Sequence, residues 1–281
     1  MPDETPYKHI LFDVEDGVAT ITLNRPDKMN AFHFPLGAEL EQAYARCDED
    51  DAVRAIILTG AGKAFCAGAD MAGGGKTFDD VEGGQRAAQA GVRKRRLRAF
   101  QVRKPVVAAI NGHAIGVGLT LAMQCDLRIV ARDAKLAFAF VRRGIIPELG
   151  SHSILPRVVG FSRAADLLLS GRTFRGEEAA ALGVASEACP AEEVVPRARE
   201  WARDVAANAA PVSVAIAKRL LWEGVTETPA EMMAKEGPLL TWIGKQPDAT
   251  EGVRSFLERR SPEWKLSAST DLPDWPDEEE S

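Results

Sequence analysis

The run Ile110-Asn111-Gly112-His113-Ala114-Ile115-Gly116-Val117-Gly118-Leu119-Thr120-Leu121-Ala122-Met123-Gln124-Cys125-Asp126 decides how this chain folds. Residues 106–110, which lead into it, are apolar throughout and read as a buried strand. A glycine-rich turn follows, and the apolar pattern then continues as a helix beginning near Gly116. Glycines at 112, 116 and 118 admit backbone conformations that a β-carbon obstructs. The first N–H groups of a helix lack partners within it and carry partial positive charge, so such a turn can offer main-chain donors to a negative oxygen. The same glycines also suit a plain tight turn.

A second small-residue loop stands after another strand. Residues 55–58 are apolar, Thr59-Gly60-Ala61-Gly62 turns the chain, and Ala64-Phe65-Cys66-Ala67-Gly68-Ala69-Asp70-Met71 follows. Together the two loops resemble the crotonase (enoyl-CoA hydratase/isomerase) superfamily. The resemblance takes in Leu23-Asn24-Arg25-Pro26-Asp27-Lys28-Met29-Asn30-Ala31, Lys104-Pro105-Val106-Val107-Ala108-Ala109-Ile110-Asn111-Gly112 and Cys125-Asp126. It continues to the C-terminal Glu251-Gly252-Val253-Arg254-Ser255-Phe256-Leu257-Glu258-Arg259-Arg260, and so covers most of the chain. It implies an α/β fold, with a crotonase-like ββα spiral core over residues 1–195 that binds acyl-CoA. A C-terminal helical trimerisation region would span residues 196–265. The tail, 266–281, is rich in Asp, Glu, Ser and Pro and is expected to be disordered.

Composition sets bounds on this reading. A chain of 281 residues, 46% apolar, holds one large domain or one domain with an appendage. Its net charge of -6 argues against general nucleic-acid binding and gives a membrane surface no support. Cys47, Cys66, Cys125 and Cys189 are scattered without metal-ligand spacing, as expected of reduced thiols in the cytoplasm. The segment Met1-Pro2-Asp3-Glu4-Thr5-Pro6 is acidic and lacks the apolar region of a secretory signal. No apolar run reaches membrane-spanning length. The basic run at 93–98 is weighed as a solvated helix face, favoured over an RNA-binding one because only Phe100 supplies an aromatic nearby.

Along the chain, residues 9–14 and 18–23 alternate as two strands of a hairpin, turned at Glu15-Asp16-Gly17. Pro35 opens a helix with apolar positions at Leu36, Leu40, Ala43 and Tyr44. Residues 71–80 read as a loop, 84–100 as a helix, 127–131 and 136–140 as strands, and 144–147 as a turn. Helices are expected at 149–158, 162–169 and 176–182, and from about Val194 the pattern is helical: 195–207, 212–222, 229–242 and 249–259. Strands alternating with helices point to an α/β core.

What the resemblance implies chemically can be placed on particular residues. In that superfamily a loop alanine before an aspartate and the middle residue of a Gly-x-Gly turn donate N–H groups to the thioester oxygen; here these are Ala69 and Val117. Donors fixed on an oxygen that gains charge in an enolate lower the barrier, by about 3 kcal/mol for one donor. Lys28, Met29 and Ala31 match the segment along the pantetheine and phosphates, and Ala67, Asp70 and Met71 the adenine-side loop. Phe256 and Arg259 match positions that approach CoA, sometimes across a subunit boundary. Lys28 in a solvated turn and Phe256 in helix packing are the plainer alternatives.

The hydratase pattern is broken. Its two glutamates would fall at Thr120 and Phe140, and neither side chain carries a proton under ordinary conditions. Glu148, eight residues after Phe140, falls where dienoyl-CoA isomerase relatives have an aspartate that moves a proton. Burial against apolar residues would raise its pKa toward a useful range. The bland reading is a helix-start glutamate after Pro147. His152, at i+4 from Glu148 on the expected helix, would share a face with it and support it, with Thr120 as a second supporting residue. His113 reads as packing, and Arg142 and Arg143 as surface charge or as a brace for Glu148. The expected activity is enoyl-CoA double-bond isomerisation with Glu148 as base. Enoyl-CoA hydration in fatty-acid oxidation and a catalytically silent CoA-thioester-binding scaffold are the alternatives. No metal and no separate cofactor are expected, CoA entering with the substrate. The expected partner is a homotrimer or hexamer of the chain itself, with no nucleic acid and no membrane.

Overall fold

A computed structural model describes residues 7–89 and 95–276. The chain opens with the hairpin β1 (Ile10–Glu15) and β2 (Val18–Leu23), paired in register from Ile10 opposite Leu23 to Glu15 opposite Val18. Helix α1 (Phe34–Glu49) follows, with Pro35 in its first turn and the His33 imidazole accepting the Leu36 N–H at 3.2 Å as its N-cap. Next come β3 (Ala55–Gly60), β4 (Ala64–Cys66) and α2 (Val81–Gln89), then β5 (Val106–Ile110), β6 (His113–Ile115) and α3 (Val117–Met123). The third round is β7 (Leu127–Ala131), β8 (Lys135–Ala137), α4 (Ser151–Val159) and α5 (Phe161–Ser170). After these stand β9 (Phe174–Arg175), α6 (Gly176–Leu182), β10 (Glu187–Cys189) and α7 (Ala191–Asn208). Helices α8 (Pro211–Glu223), α9 (Pro229–Ile243) and α10 (Pro247–Glu258) complete the order.

The strands divide between two sheets, one ordered β1-β2-β3-β5-β7-β10 and the other β4-β6-β8-β9. Each round of chain therefore lays one strand on each sheet: β3 then β4, β5 then β6, β7 then β8. From β2 to β10 the larger sheet is parallel. Strands β3 and β5 are buried along their whole length, which is why they read as continuous apolar runs without alternation. Helix α7 lies over β3, β5 and β7, and its Val194, Ala198 and Ala202 belong to the main core. The packing thus continues past residue 195, and the helices that stand apart begin with α8. These have a smaller cluster of their own in Val212, Ile216, Leu239 and Trp275. The buried Lys218 of α8 joins them to the sheet, its ammonium 2.8 Å from Asp126, whose carboxylate also accepts the Val106 N–H.

Several expectations are corrected. The helix expected at 84–100 is α2 only to Gln89; residues 90–94, with Arg93 and Lys94 of the basic run, lie outside the described residues. Residues 95–98 have no regular secondary structure and are tied to acids on α1: Arg96 and Arg98 pair with Glu41 and Arg95 with the buried Asp48. Met71–Lys76 winds into 3-10 turns within the expected loop. The strand expected through residue 140 stops at Ala137, since Phe140 already has helical angles and starts a 3-10 turn over Val141–Arg143. Helix α4 begins only at Ser151, because Leu149 and Gly150 are both left-handed, at φ 56° and 77°. The tail expected to be disordered is packed through residue 276. Trp275 is buried beneath the Arg219 guanidinium, 3.8 Å from its ring, and Ser269 hydrogen-bonds Asp51. Residues 277–281 lie outside the described residues.

Candidate active site

The site is set by a strand pair. β4 and β6 run parallel, Ala64 beside His113 and Cys66 beside Ala114, so the chain leaves both strands at the same end. One strand continues into Ala67-Gly68-Ala69 and the other into Gly116 and α3. The first turn of α3 sits hard against β4. A Cβ on Gly118 would lie 2.2 Å from the Cys66 carbonyl oxygen, so only glycine admits this approach. Gly68, at φ +105°, returns the contact against the Ile115 carbonyl.

Within this junction the main-chain donors divide cleanly. Gly116 N–H donates to Ala137 O at 2.8 Å, and Leu119 and Thr120 donate to Gly116 O at 3.0 and 3.1 Å. Val117, the first residue of α3, has no acceptor for its N–H among the described residues. Ala69 forms a parallel bridge with Phe32 in which Phe32 N–H donates to Gly68 O (2.7 Å) and Asp70 N–H to Phe32 O (2.8 Å). That pattern turns Ala69's own N–H away from Phe32, and it too has no acceptor among the described residues. Two adjoining loops therefore each present unspent amides among the described residues, Ala69 with Gly68 on one and Val117 with Gly118 on the other.

Glu148 stands one helical turn from Val117 by way of Thr120. The fully buried Thr120 hydroxyl lies 3.2 Å from the Glu148 carboxylate and 3.2 Å from Val117 O. Although the residue as a whole reaches solvent, desolvation of its carboxyl dominates and raises the Glu148 pKa; the Thr120 hydrogen bond and the charge of Arg98 pull it back only in part. Ser151 fixes the Glu148 backbone with its hydroxyl and N–H, both on Glu148 O at 2.7 and 3.1 Å. Gln124 adds a bond to Leu149 O at 3.1 Å. A cavity of about 1010 Å³ adjoins this turn, lined by Gln124, Leu149 and Gly150 on one side and Arg98, Trp222 and Trp275 among the others.

The support expected from His152 is not formed. Glu148 precedes the left-handed pair at 149–150 and so is not on α4, which removes the shared face, and His152 is exposed. Arg142 and Arg143 are exposed as well, with Arg142 bonded to Ser170 O rather than to Glu148. His113 accepts the Lys135 N–H at 3.1 Å, a packing role. The buried Phe140 ring meets the Gly116 turn.

Most of the loop residues expected along CoA come together. Ala67 N–H donates to Met29 O at 3.0 Å, and Arg25 bridges Asp70 (2.7 Å) and the Ala31 carbonyl. Lys28 is exposed with its ammonium 3.7 Å from Asp70, and Met71 is exposed where the 3-10 turns begin. The Arg25 guanidinium holds the Asp70 carboxyl below its usual range. Phe256 and Arg259 are not among them; both are exposed at the end of α10. Two organising residues carried no assigned role. Buried Asn30 accepts the Arg25 N–H and donates to Ala61 O and Ala64 O, tying this loop to β4, and Arg98, paired with Glu41 of α1, acts on Glu148 through its charge. An asparagine closing a proline turn is the only signal for Asn30 in the sequence.

The family model described as enoyl-CoA hydratase/isomerase matches residues 13–267. The chain belongs to the enoyl-CoA hydratase/isomerase family. Its two-sheet α/β architecture is the crotonase fold, and it is an acyl-CoA enzyme of that family. A probable enoyl-CoA hydratase/isomerase from Mycobacterium abscessus is similar at 40% identity and a TM-score of 0.82, over 91% of this chain and 98% of that one. An enoyl-CoA hydratase of Alternaria alternata is 38% identical over 89% of this chain and 83% of its own length. The 1,2-epoxyphenylacetyl-CoA isomerase of Escherichia coli is 34% identical over 91% and 97%. Hydratases and an isomerase are thus both among the family relatives. Among the described residues no cluster of three or more His, Cys, Asp or Glu is placed to hold a metal, and no helix is long and apolar enough to cross a membrane.

Proposed function

We propose that this family member isomerises the double bond of an enoyl-CoA, with Ala69 and Val117 N–H as the oxyanion donors and Glu148 as the base. The observation that carries this reading is the desolvated Glu148 carboxyl, joined through Thr120 to the turn bearing the Val117 amide. Glu148 takes a proton from the carbon next to the thioester of a 3-enoyl-CoA. The electron pair spreads into a dienolate whose charge rests on the thioester oxygen. The same carboxyl then returns the proton to the γ-carbon, giving the conjugated 2-enoyl isomer. Each donor on that oxygen is worth about 3 kcal/mol of the barrier. The proton leaves and returns through one group, so the balance needs neither metal nor separate cofactor.

Lys28, Met29, Ala31, Ala67, Asp70 and Met71 form the CoA side in this reading. The exposed Phe256 and Arg259 approach CoA on a neighbouring copy of a homotrimer or hexamer. The apolar residues left open on α8 to α10, among them Leu221, Leu240, Phe256 and Leu257, support that assembly. The four buried free thiols suit a cytoplasmic location.

The relatives named as hydratases favour a second reading, addition of water to a 2-enoyl-CoA. Thr120 and Phe140 supply no carboxylate for it. Purified protein given a 3-enoyl-CoA should form the 2-enoyl isomer, read from the absorbance of the conjugated thioester. Glu148→Gln should lose roughly 100-fold or more in turnover while still binding CoA esters. Undiminished turnover in that variant removes Glu148 from the mechanism. Hydration of a 2-enoyl-CoA at ordinary enzymatic rates installs the second reading, and binding without turnover across acyl-CoAs leaves a silent scaffold.

A further inference from the structure

We infer that Thr120 is a positioning residue that locks the base to the oxyanion turn, its hydroxyl donating to Glu148 when that carboxylate is charged and to the Val117 carbonyl when it is protonated. The inference rests on the proposed role of Glu148 and deepens it.

A threonine hydroxyl has one proton to give and two lone pairs to receive with. Thr120 faces two acceptors at 3.2 Å, Glu148 Oε1 and Val117 O, and can donate to only one at a time. Its side chain is fully buried, so solvent does not supply the missing partner. With Glu148 ionised, the stronger arrangement sends the hydroxyl proton to the carboxylate, because a hydrogen bond to a charged acceptor exceeds one to a peptide oxygen. Once Glu148 has taken the substrate proton on its other oxygen, Oε1 is a neutral acceptor no stronger than a peptide oxygen, and the threonine proton turns to Val117 O. The hydroxyl thus keeps an acceptor in both protonation states, and the proton on Glu148 stays on the oxygen facing the substrate, ready to be returned. Val117 is also the residue whose N–H faces the developing oxyanion, so one turn of α3 holds base and donor in fixed relation.

The alternative is the ordinary back-bond of a mid-helix threonine, which leaves Glu148 indifferent to it. The other groups acting on Glu148 are few. Arg98 contributes its charge and is itself paired with Glu41 at 3.4 Å; His152 on α4 is exposed.

Thr120→Val keeps the branched shape and removes the hydroxyl, while Thr120→Ser keeps the hydroxyl. The Glu148 carboxyl is titrated in the free protein by NMR with carbon-13-labelled glutamate, its signal assigned by loss in Glu148→Gln. Thr120→Val should move the titration upward by about one pH unit, since the lost bond favoured the ionised form, and Thr120→Ser should restore it. The acid limb of the turnover profile should shift upward by the same amount, so that kcat falls about tenfold on that limb and little on the plateau above it, with KM little changed. A folded Thr120→Val protein whose Glu148 titrates as in wild type overturns the inference, as does a Thr120→Ser that fails to rescue. A shifted titration in a protein that turns over no enoyl-CoA upholds the inference and counts against isomerisation alone.

Discussion

The loops at the end of β4 and β6 and the helices α8 to α10 finish their surfaces in opposite ways. In the loops, main chain packs on main chain, Gly118 against Cys66 and Gly68 against Ile115, and main-chain amides, those of Ala69 and Val117 among them, are left without acceptors among the described residues. In the helices a four-residue apolar cluster suffices to hold the bundle, while Leu221, Met233, Leu240, Val253, Phe256 and Leu257 stay open to solvent. The first region is complete within one chain and leaves only donors unspent. The second leaves apolar area unspent, as a face that another protein surface would cover.

The largest break in that contrast should come from Gly118→Val. The side chain would have to occupy the space of the Cys66 carbonyl, so β4 and α3 must separate. A loss of roughly 3 kcal/mol, read by chemical denaturation, is expected, together with loss of any turnover. Phe256→Asp probes the other region. It should leave the folded chain's secondary structure unchanged and break the proposed homo-oligomer into smaller species, measured by light scattering after gel filtration; an unaltered mass would mean this face is not an interface. The smallest effect concerns stability against pH. Glu148 has a folded pKa above its unfolded one, so the folded state holds the proton longer and its contribution falls as pH rises from the ordinary carboxylate range through the raised value. Glu148→Gln, which avoids the buried charge, should melt slightly above wild type at pH 8, with the gap closing toward pH 4. A gap of the same size at both pH values would show that the carboxyl is not desolvated.

How much of this was visible in the sequence follows from the range of the contacts involved. Strands β3 and β5 were readable because burial on both faces makes them runs of apolar residues, β7 was readable as an apolar run broken only by the buried Arg128, and the glycines at 68, 116 and 118 marked the loops. β4 and β6 were not, since three residues are too few for any period to register. The start of α4 depended on Leu149 adopting a left-handed conformation that its side chain does not advertise. Glu148 could be picked out by position, but its Thr120 and Arg98 neighbours arise from packing across 28 and 50 residues of chain. His152 misled because the i, i+4 rule holds only inside a helix, and Glu148 lies outside one. The acidic tail misled because composition does not register a single tryptophan that finds a groove.

The connectors between paired strands are very short: residues 61–63 between β3 and β4, 111–112 between β5 and β6, and 132–134 between β7 and β8. With so little slack, the smaller sheet inherits its spacing from the larger one, and neighbouring strands lie about 4.8 Å apart by backbone geometry alone. The gauge between the amides of Ala69 and Val117 is therefore set by the frame and not by whichever side chains happen to occupy those positions. Side chains mounted on such a frame are interchangeable: exchanging Thr120, Phe140 or Glu148 for other groups should leave the proposed grip of those two amides on the thioester oxygen in place.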